Sequence, residues 1–430
     1  MYEPGCDRTS REALQSLFSE CSINGKPGFL AEYWNNRTRE GEVVATDQIS
    51  TPFHFATTGA TTFAPGVEIT DFSARYESVF RPSQSGDVAF RFQLDGEVTL
   101  MVDGEQVAQK VYVKNPTNLY TLQAKAGKEY HIEILFKQRN ERATLDFDLG
   151  KQVEINLNLA VEKVKDADVV LFAGGISPSL EGEEMPVEVS GFKGGDRTDI
   201  ELPAVQRDLL RTLKKAGKKV VFINYSGSAI GLVPESNTCE AILQAWYPGQ
   251  AGGTAIVDVL FGDYNPAGRL PVTFYKDAGQ LPDFEDYSMK GRTYRYMQQQ
   301  PLYPFGYGLS YTTFIYGEAN LGKNTIGKGE TAMLTVPVSN VGQRDGDEVV
   351  QVYLRSPADK DGPRYTLRAF KRVHIPAGQT KSVTIPLTHE SFEWFDEATN
   401  TMHPVAGTYE LLYGGSSDKN KLKAIVMNVQ

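Results

Sequence analysis

Three carboxylates, Glu181, Glu183 and Glu184, crowd the stretch GISPSLEGEEMPVEVSGFKGGDRTDIELP, residues 175–203. They follow directly on VVLFAGG at 169–175, an apolar run that reads as a buried strand. A lone ionised carboxylate is very costly to bury unpaired. Such a loop therefore either lies open to water or sits in a cleft that uses a carboxyl for proton transfer, where environment tunes the group to its task.

The other constellations read as structural. Asp196 and Arg197 in GGDRT could orient a substrate hydroxyl, but an adjacent Asp and Arg entering a helix more often make a local ion pair and a turn. Ser226-Gly227-Ser228 follows the strand KVVFINY without GxSxG spacing, and no Ser, Asp, His order comes after it, so a helix N-cap is expected there. Gly174-Gly175 lacks the GxGxxG context of a dinucleotide site. Among five histidines the one suggestive pairing is His131 with Glu133, which share a strand face. Cys6, Cys21 and Cys239 are too few and too scattered for a disulfide framework or a CxxC metal site. No metal or organic cofactor is expected.

These residues need a scaffold, and 430 residues are enough for about three domains at ~150 residues each. Hydrophobic residues make up 40% and charged residues 23%. No run approaches the ~20 apolar residues of a membrane span. A net charge of -10, with pI ≈ 5.2, argues against a nucleic-acid partner, whose phosphates call for clustered Lys and Arg.

Along the chain, 8–20 reads as a short amphipathic helix with Ser10 as its cap. From 28 to 150 the period is two. Val88, Phe90 and Phe92 alternate, turns are expected at Asp95-Gly96 and Asp103-Gly104, and strands continue at 111–120 and 129–136, which predicts a meander or sandwich. Beyond 151, helices at 157–166 and 204–216 separate buried strands at 169–175 and 219–227, the pattern of a parallel sheet covered on both faces. Ligands of such a sheet sit outside the carboxyl ends of its strands, and the loop of Glu181 is one of those ends. After the Pro, Gly and Tyr rich link at 301–314, strands return at 331–338, 348–354, 380–387 and 408–413, spaced like a small immunoglobulin or fibronectin sandwich.

Several long motifs occur in one order: VVLFAGGISPSLEGEEM, GGDRTDIELPAVQRDLL, KVVFINYSGSAIGL, AILQAWYPGQAGGTAIVDVLFGDYNPAGRLPVTF and YPFGYGLSYTTF. Together they resemble the non-barrel half of family three glycoside hydrolases. The segment FSARYESVFRPSQSGDVAFRFQLDGEVTLMVDG resembles the protective-antigen-type β-sandwich that some members carry as an insert, and SNVGQRDGDEVVQVYL with VAGTYELLYGGSS resembles the family's fibronectin-type module. The resemblance implies a multidomain fold. An α/β sandwich, mostly parallel with helices on both faces, has its truncated start at 1–27 and its main part at 151–313. An all-β sandwich insert at 28–150 interrupts it, with the helices at 8–20 and 157–166 meeting across the interruption. A fibronectin type III-like β-sandwich follows at 314–430.

For function the resemblance implies a retaining exo-β-glycosidase of the β-xylosidase or β-glucosidase type. Its substrate is a β-glycoside or oligosaccharide cut at the non-reducing end. Glu181, the Glu followed by Gly, takes the acid/base position, with Glu183 and Glu184 as the alternatives. The nucleophile, an Asp on an N-terminal TIM barrel, is absent from this chain, so the barrel is an expected partner and the chain is expected to be an incomplete enzyme: a fragment, a split gene product or a truncated form. The start MYEPGCDRTSREALQ has no secretion signal and is expected not to be the natural beginning. A periplasmic or extracellular setting is implied for the full-length enzyme. Trp34, Phe53, Phe55 and Phe63 could offer a ring on which a sugar stacks. The rival reading is a carbohydrate-binding or scaffold module without chemistry.

Overall fold

The computed structural model describes residues 11–178, 180–181, 190–193, 196–327, 329–355 and 361–430, apart from the side chain of residue 115. The chain divides into two compact units, Ser10–Asn156 and a second containing Leu157–Gln430.

Among the described residues, eleven strands of the first unit form one sheet. Its main path runs Glu12–Ser16, Thr144–Glu154, Gly86–Val102, Tyr130–Lys137, Ser73–Phe80, Cys21–Ile23 and Lys26–Pro27. Alternation drives the inward residues into an aromatic core in which Phe18, Phe29, Phe53, Phe92 and Phe147 meet edge to face or tilted.

Three expectations are corrected here. Residues 8–20 do not form a helix where they are described: Glu12–Ser16 is a strand, and Phe18–Glu20 is a single 3-10 turn that buries Phe18. The antiparallel partner Thr144–Glu154 satisfies its backbone from Glu12 to Ser16, and that long-range ladder overrides a weak helical preference. Strands from Glu12 to Pro27 thus pair inside the β sheet rather than beginning the α/β domain, and the expected meeting of helices 8–20 and 157–166 loses its first member among the described residues, since 11–20 form no α-helix. Asp95-Gly96 is not a turn either. The strand Gly86–Val102 runs through it with shifted pairing, held by long ladders on both sides, and the Phe136 ring lies where a side chain at Gly96 would fall. The turn falls at Asp103-Gly104, where both residues have positive φ, 52° and 83°.

In the second unit three parallel strands, Val169–Gly175, Lys219–Tyr225 and Ala241–Gln244, lie side by side in that order among the described residues. Helix Ala204–Lys215 turns Val205, Leu210 and Leu213 inward. Leu210 and Leu213 share a core with Val220, Phe222 and Ile230. The other face differs from the two-sided cover expected: Val169 and Leu171 are exposed. Residues Gly252–Phe261 form a helix, ended by Gly262 in the left-handed conformation.

Beyond the link, sheets of four and five strands share one apolar core that includes Val336, Val352, Ile385, Tyr409 and Met427. A buried joint ties this part to the α/β part: Arg269 reaches Glu348 at 2.7 Å, and Tyr316 donates to the same carboxylate at 2.9 Å.

Candidate functional site

The carboxyl ends of the three parallel strands feed three loops that converge on Glu181. The first loop leaves its strand sharply at Gly175. Its φ is 135°, and a Cβ there would fall 1.9 Å from the Tyr225 carbonyl oxygen, so only glycine permits the exit. Gln206, buried on its helix, holds both backbone groups of Gly175, accepting from its N–H and donating to its C=O at 2.8 Å each. Ile176 then donates to the Tyr225 carbonyl, and a turn from Ser177 to Leu180 delivers Glu181.

The Glu181 side chain is 19% exposed. Oε1 accepts from the Ser228 hydroxyl at 2.8 Å and from an Arg197 amino group at 3.3 Å. Oε2 lies 2.6 Å from the Tyr247 hydroxyl oxygen. Each partner comes from a different place. Arg197 ends a short hairpin in which Phe192–Lys193 pairs with Asp196–Arg197, and its guanidinium stacks over the Phe192 ring at 5.0 Å while bonding the carbonyls of Asp199 and Glu201. Ser228 follows the second strand. Tyr247 follows the third, just after Trp246, which takes a positive φ of 57° and packs against Phe274.

Below the loops a polar cluster sets their spacing. Asn224, fully buried at the end of the second strand, donates to Ser226 and to Gln244, and Gln244 donates to Ser226. Ser226 in turn donates to the Ser228 carbonyl, which fixes the loop that presents the Ser228 hydroxyl. Burial, and after it the Glu181 carboxyl, pushes the Tyr247 pKa up, so the phenol keeps its proton.

Several assignments made from sequence change on this geometry. Arg197 contacts Glu181 rather than making only a local pair with Asp196. Ser226-Gly227-Ser228 caps no helix. The next helix, Val233–Thr238, begins after Leu232 without a side-chain cap, and Ser228 serves Glu181 instead. Tyr247 is not singled out by the sequence pattern, although the turn-forming YPGQAGG after a strand marks the right loop. Glu183 and Glu184 lie outside the described residues. In the β unit Trp34, Phe53 and Phe63 are buried, and Phe55 stacks on Phe63 at 5.2 Å, so these rings fill the core and offer no open face to a sugar.

A site of this kind can hold one carboxyl in a fixed direction. Comparisons with known proteins give the family. The model of the glycosyl hydrolase family 3 C-terminal domain matches residues 75–311, and that of the fibronectin type III-like domain matches 348–417. The xylan 1,4-beta-xylosidase of Xylanibacter ruminicola is 46% identical over 433 residues, covering 100% of this chain and 50% of the relative. The periplasmic beta-glucosidase of Salmonella typhimurium is 38% identical over 251 residues, 55% of this chain and 32% of the relative. The chain thus spans about half the length of the first relative and less of the second. A beta-glucosidase of Kluyveromyces marxianus, solved in complex with glucose, shares the fold over 97% of this chain and 52% of its own, with a TM-score of 0.66 at 24% identity.

Proposed function

The chain belongs to glycoside hydrolase family 3, and from that premise we propose that it is the carboxyl-terminal portion of a retaining exo-β-glycosidase, of the β-xylosidase or β-glucosidase type, with Glu181 as its general acid/base. The observation that carries this reading is the seat of the Glu181 carboxyl, mostly buried and held by side chains from three separate segments, two of which follow parallel strands while the third is a short hairpin. A carboxyl fixed in this way meets the geometric demand of proton transfer, which a side chain sweeping through solvent does not.

In the first step Glu181 gives its proton to the glycosidic oxygen while an Asp on a barrel outside this chain attacks the anomeric carbon. In the second, the Glu181 carboxylate takes a proton from the water that releases the sugar. Retention asks for the two carboxyl groups to stand roughly 5 Å apart across the sugar. Within this reading Glu183 and Glu184 are the alternative acids, the β unit is a protective-antigen-type insert in the α/β domain, and the last sheets form a fibronectin-type sandwich. The acid/base assignment is to the chain's own residues, and the missing barrel is the partner that completes the enzyme.

The test is hydrolysis of nitrophenyl β-xyloside and β-glucoside by this chain, alone and mixed with a separately produced family 3 barrel. Activity that appears on mixing and is lost in Glu181→Gln supports the proposal. Sugar binding by the chain with no hydrolysis in any mixture would make it a carbohydrate-binding or scaffold module.

A further inference from the structure

Among the described residues, the two most exposed large hydrophobic side chains lie on one loop: Tyr287 at 91% and Phe284 at 84%, with Met289 at 46% close by in sequence. Single apolar residues scattered over a surface are ordinary. Two nearly bare rings on one short loop are not, since an aromatic side chain can bury ~150–250 Å² against a partner.

The loop is held from within. The Arg292 guanidinium donates to three of its carbonyls, those of Ser288 at 3.2 Å, Asp283 at 3.3 Å and Asp286 at 2.6 Å. The Asp283 carboxylate accepts the Glu285 N–H at 2.9 Å, and the Asp286 carboxylate accepts the Ser288 N–H at 2.8 Å. The Arg292 N–H closes the loop on the Met289 carbonyl, and the Tyr275 hydroxyl accepts the next N–H, that of Thr293. Compact surface loops are usually packed by their own side chains. Here a cation fills that place and the rings face outward. The main chain is fixed before any partner arrives, so little freedom is left to lose on binding.

Exposed rings on a rigid backbone have the form of interface anchors. We propose that Phe284 and Tyr287 dock this chain onto the half of a family 3 enzyme that it does not contain, an inference that rests on reading the chain as the carboxyl-terminal portion of such an enzyme. Two observations choose that occupant. The xylosidase relative matches the whole of this chain with half of its own length, so as much polypeptide again has to be met. The loop also belongs to the same compact unit as Glu181. A partner that brings the nucleophile must seat on that unit to place the two carboxyl groups roughly 5 Å apart. Asp283 and Glu285, both exposed, flank Phe284, so the receiving pocket is apolar with a basic rim.

The test is association of the full chain with a separately produced barrel half of the Xylanibacter ruminicola relative, read by sedimentation velocity and calorimetry. A one-to-one complex is expected. Phe284→Ser and Tyr287→Ser should each weaken it about 30-fold or more. Phe395→Ser, which removes an exposed ring elsewhere in the same unit, should leave it unchanged. Arg292→Lys keeps the charge but cannot span three carbonyls, and should cost about tenfold with both rings in place. No complex with wild type, wild-type affinity in both ring variants, or an equal loss in Phe395→Ser overturns the proposal. So does self-association of the chain, or binding of xylo-oligosaccharides, that disappears with either ring, because the surface then serves a second copy or a sugar. Association is read without hydrolysis. A complex that forms through the rings and stays inert counts against the glycosidase reading alone, and an active mixture indifferent to both rings counts against this inference alone.

Discussion

A Cβ on Gly227 would fall 2.5 Å from the ring of Tyr247 and 3.0 Å from Oε2 of Glu181, so the bare backbone after the second strand is what admits both side chains. Gly227→Ala should push the ring aside and break its hydrogen bonds. Overpacking of this kind costs about 1–3 kcal/mol. The expected outcome is a small loss in thermal stability with a loss of hydrolysis in the assembled enzyme at least as large as that of Tyr247→Phe, read from Tm and kcat/KM together.

Arg197 bonds one carboxyl oxygen and two backbone carbonyls from a single planar guanidinium. A lysine cannot span that set. Arg197→Lys should therefore behave like Arg197→Met, with kcat/KM down about 10–100-fold, the size expected when a reacting group is misplaced by about 1 Å. Recovery of wild-type rates in Arg197→Lys would show that charge alone is needed there.

Arg207 grips the almost fully buried Glu235 through two nitrogens, at 2.6 and 3.1 Å, and reaches Glu201 with a third at 2.7 Å. Removing the cation leaves a carboxylate buried without its partner, which costs about 3–5 kcal/mol. Urea unfolding of Arg207→Met should show a loss of that order. The double variant Arg207→Met/Glu235→Leu should regain much of it, since the uncompensated charge is then gone.

Asp103 gives a pH-dependent contribution with a definite sign. Burial works against its charged form, but the His131 backbone N–H and the Lys128 ammonium outweigh it and hold the carboxyl below its usual range. A lowered folded-state pKa stabilises the fold above the unfolded value, near 3.8, and that contribution fades as pH falls through the folded value. Asn takes the left-handed turn position as readily as Asp, so Asp103→Asn removes the charge and keeps the turn. Calorimetry should show the variant melting below wild type at neutral pH, with the gap closing as the pH drops past about 3.8 and beyond. A gap independent of pH would mean the charge contributes nothing.

The strands at Val169–Gly175 and Lys219–Tyr225 are legible in sequence because continuous apolar runs bounded by glycine leave few alternatives, and the loop carrying Glu181 follows from the end of the first. The residues that hold Glu181 are not legible. Ser228 and Tyr247 lie 47 and 66 positions away in sequence and meet it only because parallel strands align their carboxyl ends. No local pattern encodes that meeting. Arg197, 16 positions away, sits beside Asp196, and the nearer charge masks the farther one. The stretch containing Glu12–Ser16 misleads for a related reason: its partner strand, Thr144–Glu154, is more than a hundred residues away, and apolar spacing alone cannot distinguish a short helix from an edge strand waiting for its ladder.

The most direct test of Glu181 as acid/base is azide rescue of Glu181→Ala in the enzyme assembled with a barrel. A good leaving group needs no proton, and azide, unlike water, needs no base to attack the glycosyl-enzyme intermediate. The expected result is a loss of about 10²–10⁴-fold on alkyl glycosides, a much smaller loss on dinitrophenyl glycosides, and acceleration by azide with a β-glycosyl azide as product. Equal losses on both substrates with no azide product would contradict it.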